Sequence, residues 1–368
     1  MAVTEDTTDR STGYRAGIIG TGFMGRVHTR AIRSAGGTVI GAVGSTPAKG
    51  HEFTAEIGAV RGFDTAEAMF ADPEVDVVHI CTPNHLHEAL ATAAIAAGKH
   101  VVCEKPLSVD ANSAASMARA AADAGLVATV PFVNRFHPLM REARHLINEG
   151  AIGRLTLAHG SYLQDWLLLP EDDNWRVQAR LGGPLRAFGD IGSHWCDLLE
   201  FVTGDRIRRV NAQLSTVHSD RTGPVDTEDI ATVQFGTESG AIGIAVISQV
   251  SAGRKNRMLL ELSGTEATLS FDQEQPEVLW LGRRDRSSLL VRDPEVMGPE
   301  ATRLSRVPAG HAQGYQDCFN AFVADTVAAV AGAVPDGLPD FAAGARAAVL
   351  AEAVLSSART GNWVEVDT

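Results

Sequence analysis

The stretch Ala16-Gly17-Ile18-Ile19-Gly20-Thr21-Gly22-Phe23-Met24-Gly25 constrains this chain more than any other. An apolar run ends in glycines spaced G-x-G-x-x-G, and an amphipathic run from Met24 to Ser34 begins at once. Glycines in this pattern are a weak signal alone. Between a strand and a helix they acquire a mechanical meaning. Gly20 permits a tight turn, Gly22 lets backbone N–H groups approach a phosphate, and Gly25 lets helix and strand pack closely. The helix N-terminus then faces the negative charge. With Phe23 and Met24 in the same turn, the segment reads as the cradle of a dinucleotide pyrophosphate.

Beyond this turn the chain repeats the strand-then-helix rhythm. Strands are read at Ala16 to Gly20, Val39 to Val43, Val75 to Cys81, His100 to Glu104 and Val127 to Val130, with helices at Pro47 to Ile57, Ala66 to Phe70, His85 to Ala97 and Asn112 to Ala124. Such alternation implies right-handed crossovers and a doubly wound parallel sheet, a Rossmann domain over 14–134 behind a disordered tail over 1–13. Near Pro131 the pattern changes. A helix from Pro138 to Glu149 leads into strands at Leu155 to Leu163, Arg208 to His218, Ile230 to Phe235, Ala241 to Val250, Arg257 to Ser263 and Ala267 to Phe271. These predict a second, α+β domain over 135–368 with a large, mostly antiparallel open sheet, one face of which is suited to oligomerisation. The charged stretch Arg283 to Arg306 reads as an exposed hairpin and loop. Helices at Gln313 to Ala331 and Phe341 to Thr360 precede a last strand at Trp363 to Val366.

A length of 368 residues agrees with two cores rather than one. The excess of 45 acidic over 32 basic residues gives a net charge of −13, which disfavours nucleic acid and anionic membranes as partners. No apolar run reaches the length of a membrane span, and the polar first residues lack the core of a signal peptide. The four cysteines, Cys81, Cys103, Cys196 and Cys318, lack metal-ligand spacing, so no metal is expected. These features read as a cytoplasmic enzyme with a small-molecule substrate.

After the second strand comes Val43-Gly44-Ser45-Thr46-Pro47-Ala48-Lys49. An Asp or Glu that would read a ribose 2′-hydroxyl is missing, and Ser45, Thr46 and Lys49 offer donors to a 2′-phosphate. No arginine, the residue best shaped for that phosphate, is present either. The cofactor is therefore read as NAD or NADP.

The chain resembles the glucose–fructose oxidoreductase / inositol dehydrogenase / MocA (Gfo/Idh/MocA) family. The resemblance rests on the glycine turn, on Cys81-Thr82-Pro83-Asn84 with His87, on Glu104-Lys105-Pro106, and on Gly182-Gly183 followed by Asp190-Ile191-Gly192-Ser193-His194-Trp195-Cys196-Asp197. It runs from about residue 14 to the C-terminus. It implies hydride transfer between NAD(P) and a secondary hydroxyl of a sugar, sugar derivative or cyclitol, in a homodimer or homotetramer joined through the C-terminal sheet. It also implies a catalytic Lys105, Asp190 and His194, and a cis Lys105-Pro106 bond.

The residues suit that chemistry. A secondary hydroxyl is too weak an acid to lose its proton unaided as hydride leaves carbon. His194 is the natural base, because an ordinary histidine pKa of about 6.5 lies near working pH. Lys105, at a strand end where α/β sheets bind ligands, is placed to stabilise developing negative charge; a surface lysine is the plainer alternative. Asp190 would orient His194 or bind an adjacent hydroxyl. At about 100° per residue Asp190, His194 and Asp197 share one helical stripe, and Ile191, Trp195, Leu198 and Val202 share another. Thr82, Pro83, Asn84, His87 and Glu104 join the cofactor edge; Asn84 would reach the nicotinamide ribose or cap the next helix. His79, inside a strand, reads as packing.

At the substrate end, Gln164-Asp165-Trp166 and Asn174-Trp175-Arg176 flank a loop over 167–173, where indoles stack on sugar faces and Asp, Asn and Arg read hydroxyls or a charged substituent, or where the loop serves a subunit contact. Arg135, Arg176, Arg180, Arg186 and His311 are candidates for an anionic substituent, and Tyr315 is another pocket residue. Three functions compete: a dehydrogenase, a glycosidase acting by transient oxidation, elimination and re-reduction, and a non-catalytic cofactor-binding sensor.

Overall fold

A computed structural model describes residues 13–366 apart from Asp220, Thr222 and Pro224, so all but Gly13 of the expected tail lies outside the described residues. The first sheet contains β1 (Arg15–Ile19), β2 (Thr38–Val43), β3 (Arg61–Gly62), β4 (Val77–Ile80), β5 (His100–Cys103) and β6 (Ala128–Thr129). Their order is β3-β2-β1-β4-β5-β6, every pair parallel. Strands of this sheet are buried on both faces, which is why they are written in near-continuous Val, Ile and Ala. Ile18, Val77 and Val102 pack on one side with Ala31 and Ile32, and Ile19, Val78, Ile80 and Val101 pack on the other. The two-residue β3 has no counterpart among the expected strands, and the helix expected from His85 begins as a 3₁₀ turn at Asn84–Leu86 before His87–Ala96.

The second sheet contains β7 (Leu155–Leu163), β8 (Ile207–Ser215), β9 (Ile230–Thr237), β10 (Ile242–Ser248), β11 (Arg257–Gly264), β12 (Thr268–Asp272), β13 (Val278–Gly282), β14 (Ser287–Val291) and β15 (Val364–Glu365). Its order is β14-β13-β12-β11-β7-β10-β9-β8-β15, and only β7 with β10 is a parallel pair. Period-two alternation puts Ala158, Phe235, Ala245, Met258, Leu260 and Phe271 into the core against helices Pro138–Asn148, Ser193–Thr203 and Phe341–Thr360. The other face leaves Leu157, Ile242, Ile244, Leu289 and Val291 exposed. Within the charged 283–306 stretch the chain forms a turn between β13 and β14 and a short helix, Pro299–Leu304.

Of the two C-terminal helices, the second ties the two sheets together. Helix Tyr315–Val330 lays Phe319, Phe322 and Val323 against the same core as Ile18 and Val27. Helix Phe341–Thr360 is long and apolar enough to match a membrane span, contrary to the expectation that no segment would be. Its Phe341, Ala347 and Ala348 are buried in the first core and its Leu350 and Val354 in the second, which accounts for its composition.

Candidate active site

The glycine turn has the geometry its sequence demands. Gly20 has φ +111°, and a Cβ there would sit 2.4 Å from the Cys81 carbonyl oxygen. A Cβ on Gly25 would sit 2.4 Å from the Gly20 carbonyl oxygen, so strand and helix meet backbone to backbone. At Gly22, the N-cap of helix Phe23–Ser34, a Cβ would meet no protein atom within 4 Å. That open side belongs to a cleft of about 640 Å³ lined by Gly20 to Met24, Ser45, Thr82, Pro83, Asn84, Glu104, Lys105, Trp175 and Arg176. The buried Thr82 hydroxyl oxygen has no protein partner. An open helix N-terminus and an unpartnered hydroxyl in one cleft fit a bound dinucleotide. Thr46 and Lys49 do not line this cleft. Thr46 caps helix Pro47–Glu56 by accepting from the Lys49 backbone N–H at 3.3 Å, and the Lys49 residue is exposed.

Two further cofactor candidates also hold the cleft in shape, His87 from beneath and Asn84 from its wall. His87 is fully buried, with Nδ1 2.9 Å from the Pro106 carbonyl and Nε2 3.0 Å from that of Thr82, so it braces the cleft wall instead of lining it. Asn84 neither caps a helix nor stays free: its amide donates to the Gly182 carbonyl at 2.8 Å. This bond pins the Ala179–Gly182 turn, just after Trp175 and Arg176, to the end of β4.

Lys105 emerges at the end of β5, and the Lys105–Pro106 peptide is cis. Its ammonium donates to Asp190 Oδ1 at 2.6 Å and to the Asp190 carbonyl at 2.9 Å. Asp190 lies in a π-helical turn, Phe188–Gly192, that runs into helix Ser193–Thr203. The extra residue in that turn breaks the expected 100° stripe: Asp190 faces Lys105, whereas Asp197 pairs with Arg135 elsewhere. Nor does Asp190 orient His194. Its second oxygen, Oδ2, accepts from Gln249 Nε2 at 2.8 Å. Burial works against the charge on Asp190, but Lys105 and Arg176 outweigh it and hold the carboxyl well below the usual range.

His194 packs its ring edge-on to Phe132, and its Nδ1 is buried with no protein partner. Burial, reinforced by the Lys105 ammonium, draws its pKa down to about 3. At neutral pH the imidazole is therefore uncharged, and its pKa lies well below the working range that an ordinary histidine offers a base. The site thus holds an uncharged imidazole, an ammonium, and a carboxylate that fixes that ammonium.

The Trp166 to Arg176 segment divides. Arg176 stacks its guanidinium 4.3 Å from the Trp175 ring centroid and approaches Asp190 Oδ1 at 3.5 Å, so both belong to the site. Trp166 is more than a third exposed and donates from Nε1 to Gln164 Oε1 at 2.8 Å. The five-residue anion cluster does not form. Arg135 is spent on Asp197 and lines a separate cavity with Glu200 and Arg346. Arg186 is buried against Asp229, Arg180 is exposed beside Gln178, and His311 is exposed with its carbonyl held by Arg292. Tyr315 packs its ring, tilted by 59°, against Phe319 and rests its hydroxyl 3.8 Å from Met24 Sδ, at the cofactor end of the cleft.

Several supporting residues, Gln164 apart, lie outside every site segment singled out in the sequence. Gln164 and Gln249 directly follow the ends of β7 and β10, whose last residues Leu163 and Ser248 pair in parallel. Two strands ending side by side with the same polar residue is the one signal the sequence offers for Gln249. Glu228 accepts from the Arg186 and Phe188 backbone N–H groups at 2.9 and 2.8 Å, fixing the start of the π turn. Arg221 pairs with the buried Asp229 at 3.3 Å and donates to the Leu167, Leu169 and Asp172 carbonyls, which anchors the loop after Trp166.

Comparison with known proteins agrees with this geometry. Residues 14–132 match the model of the oxidoreductase family with an NAD-binding Rossmann fold, and residues 140–270 match the GFO/IDH/MocA C-terminal domain. Levoglucosan dehydrogenase of Pseudarthrobacter phenanthrenivorans is 31% identical, over 95% of this chain and 97% of its own. A structure of levoglucosan dehydrogenase with NADH and levoglucosan superposes with a TM-score of 0.90 at 31% identity, covering 96% of this chain and 99% of that one. An inositol dehydrogenase homolog from Azotobacter vinelandii, complexed with NADH and myo-inositol, gives a TM-score of 0.87 at 26% identity, over 96% and 98%. The cradle at Gly20 to Gly25, the anchored Lys105 and these matches over nearly the whole chain establish that it belongs to the Gfo/Idh/MocA family of NAD-binding oxidoreductases.

Proposed function

We propose that this protein is an NAD-dependent dehydrogenase that oxidises a secondary hydroxyl of a sugar, sugar derivative or cyclitol. The observation that carries the proposal is Lys105, held 2.6 Å from Asp190 at the end of the cleft that begins on the glycine turn. NAD bound in that cleft supplies the hydride acceptor. Lys105 donates to the substrate oxygen and stabilises its growing negative charge. His194, neutral near pH 7, takes the hydroxyl proton, while Asp190 keeps the ammonium in place. Trp175 and Arg176 offer an apolar face and donors to a polyhydroxylated ring. Two full-length relatives named for anhydrosugar and cyclitol substrates support that class.

The test is a screen of sugars, anhydrosugars, cyclitols, sugar acids and glycosides against NAD and NADP, following reduced cofactor and released aglycone. NADH formed in proportion to an oxidised sugar or cyclitol supports the reading. Glycoside cleavage without net NADH would replace it with the oxidation–elimination route, and no turnover across these classes would overturn it. The apolar outer face of the second sheet, with Ile242 61% and Leu289 65% exposed, supports assembly of identical chains through that face. Light scattering of the purified protein reads this directly, and a monomer at micromolar concentration would refute it.

A further inference from the structure

A chain of buried polar groups runs away from the floor of the cofactor cleft. Glu104, at the end of β5, lines the cleft and is itself almost fully buried. Its Oε1 lies 2.9 Å from His28 Nε2, His28 Nδ1 lies 2.8 Å from His79 Nδ1, and His79 Nε2 lies 2.8 Å from the Tyr14 hydroxyl. His28 and His79 are wholly inaccessible and Tyr14 nearly so. The packing explanation for His79 therefore falls short, because three hydrogen-bonding side chains have been brought into one apolar layer from residues 14, 28 and 79.

Burial works against a charge on Glu104, but the hydrogen bond from His28 outweighs it and holds the carboxyl below its ordinary range, and this sets the direction of the chain. An ionised Glu104 only accepts, so His28 Nε2–H donates to it. The His28 Nδ1 is then an acceptor, and the His79 Nδ1–H donates to it. The His79 Nε2 in turn accepts from the Tyr14 O–H. Every group is satisfied, every dipole points its positive end at Glu104, and no cation is required. Of the other groups around Glu104, Lys105 also favours its charge across space, but neither it nor His87 gives it a side-chain hydrogen bond. Lys105 gives its ammonium to Asp190 and its backbone N–H to Glu104 Oε2 at 3.2 Å. His87 is engaged with two carbonyls, and burial keeps the Cys81 and Cys103 thiols protonated.

In a sheet of this order, phosphates on the glycine turn put the adenosine half toward β2 and the nicotinamide half toward β4 and β5, where Glu104 lies. We infer that Tyr14, His79 and His28 are positioning residues that hold a negative charge on Glu104, and that this charge makes the site favour the positively charged, oxidised nicotinamide over the neutral reduced one. The inference rests on the reading of the cleft as the NAD site.

The experiment measures dissociation constants for NAD⁺ and NADH separately, by calorimetry and by NADH fluorescence, with no substrate present. Glu104→Gln should weaken NAD⁺ relative to NADH on the order of 10- to 100-fold, the range for a charge several Å away in a partly desolvated site. His79→Phe, which touches neither Lys105 nor the cleft, should shift the ratio in the same direction by about 3- to 10-fold, because it leaves His28 without its donor. His79→Asn, which keeps a donor where Nδ1 stood, should remain close to wild type. If His79→Phe does not fold, Tyr14→Phe takes its place, since it removes only the hydroxyl at the far end. A purely structural role would weaken both forms of the cofactor equally. An unchanged ratio in Glu104→Gln, or equal losses in His79→Phe or its substitute, would overturn the inference while leaving the cleft assignment intact. Wild-type protein that binds neither form would overturn both.

Discussion

Gln249→Leu removes a short hydrogen bond to Asp190 from a place where it counts, together with a long one of 3.5 Å to Gln164 Oε1. Gln249 is fully buried, donates to Asp190 Oδ2 at 2.8 Å, and leaves its own Oε1 without a protein partner. The leucine fits the same space and deletes an unpaired acceptor, so the fold should lose little. Asp190 is different. It keeps Lys105 on Oδ1 but loses the donor that fixed its second oxygen, and a hydrogen bond to a charged group contributes about 1.5–3 kcal/mol. If that orientation is realised in the transition state, kcat/KM falls roughly 10- to 150-fold. The KM for NAD should not move, because Gln249 does not line the cofactor cleft. Losing the donor also raises the Asp190 carboxyl from its depressed position, so the acid limb of the rate profile should move upward. Steady-state NADH production across pH, with a melting curve for each protein, measures all of this. A kcat/KM within twofold of wild type in a normally folded variant would mean that the Gln249 bond does not hold Asp190 for catalysis.

Other perturbations separate structure from chemistry. Asp229→Asn leaves Arg186 and Arg221 buried without their shared partner, and denaturant unfolding should show a loss of about 3–5 kcal/mol; a loss below about 1 kcal/mol would contradict the dependence of both arginines on that carboxylate. Gly22→Val has room within the protein, so melting should be unchanged while NADH titration weakens at least about tenfold, the side chain having entered the phosphate space. Unchanged NADH affinity would remove the phosphate from this turn. His194 has a folded pKa of about 3 against an ordinary value near 6.5, so the unfolded chain binds the proton that the folded site refuses. Stability should therefore fall as pH drops from about 6.5 toward 3, and His194→Asn should flatten that part of the curve; identical pH dependences would contradict it.

Those residues whose role is set by neighbours in sequence are legible without a structure. The turn over Gly20 to Gly25 needs only a strand before it and a helix after it, and Glu104-Lys105-Pro106 needs only the end of β5. The hidden part depends on pairings across the fold. Gln249 meets Asp190 from 59 residues away, and His28 meets Glu104 from 76. Asp197 reads as a third member of the Asp190 stripe only while a regular helix is extended through a turn that is π-helical. Arg135 and Arg186 read as available for a substrate because a sequence does not show which carboxylate each arginine will meet. The glutamine after β10 and the histidine within β4 carry no motif of their own, and their meaning appears only when strand ends and layers are brought together.

Everything proposed for the chemistry turns on Lys105, anchored by Asp190, stabilising the oxygen of a hydroxyl as its hydride leaves. The decisive comparison is Lys105→Met against wild type on a sugar or cyclitol found to reduce NAD. In the variant kcat should fall by about 10²–10⁴-fold while NADH titration still shows binding within a few-fold of wild type. A Lys105→Met protein that turns over at the wild-type rate would contradict the assignment.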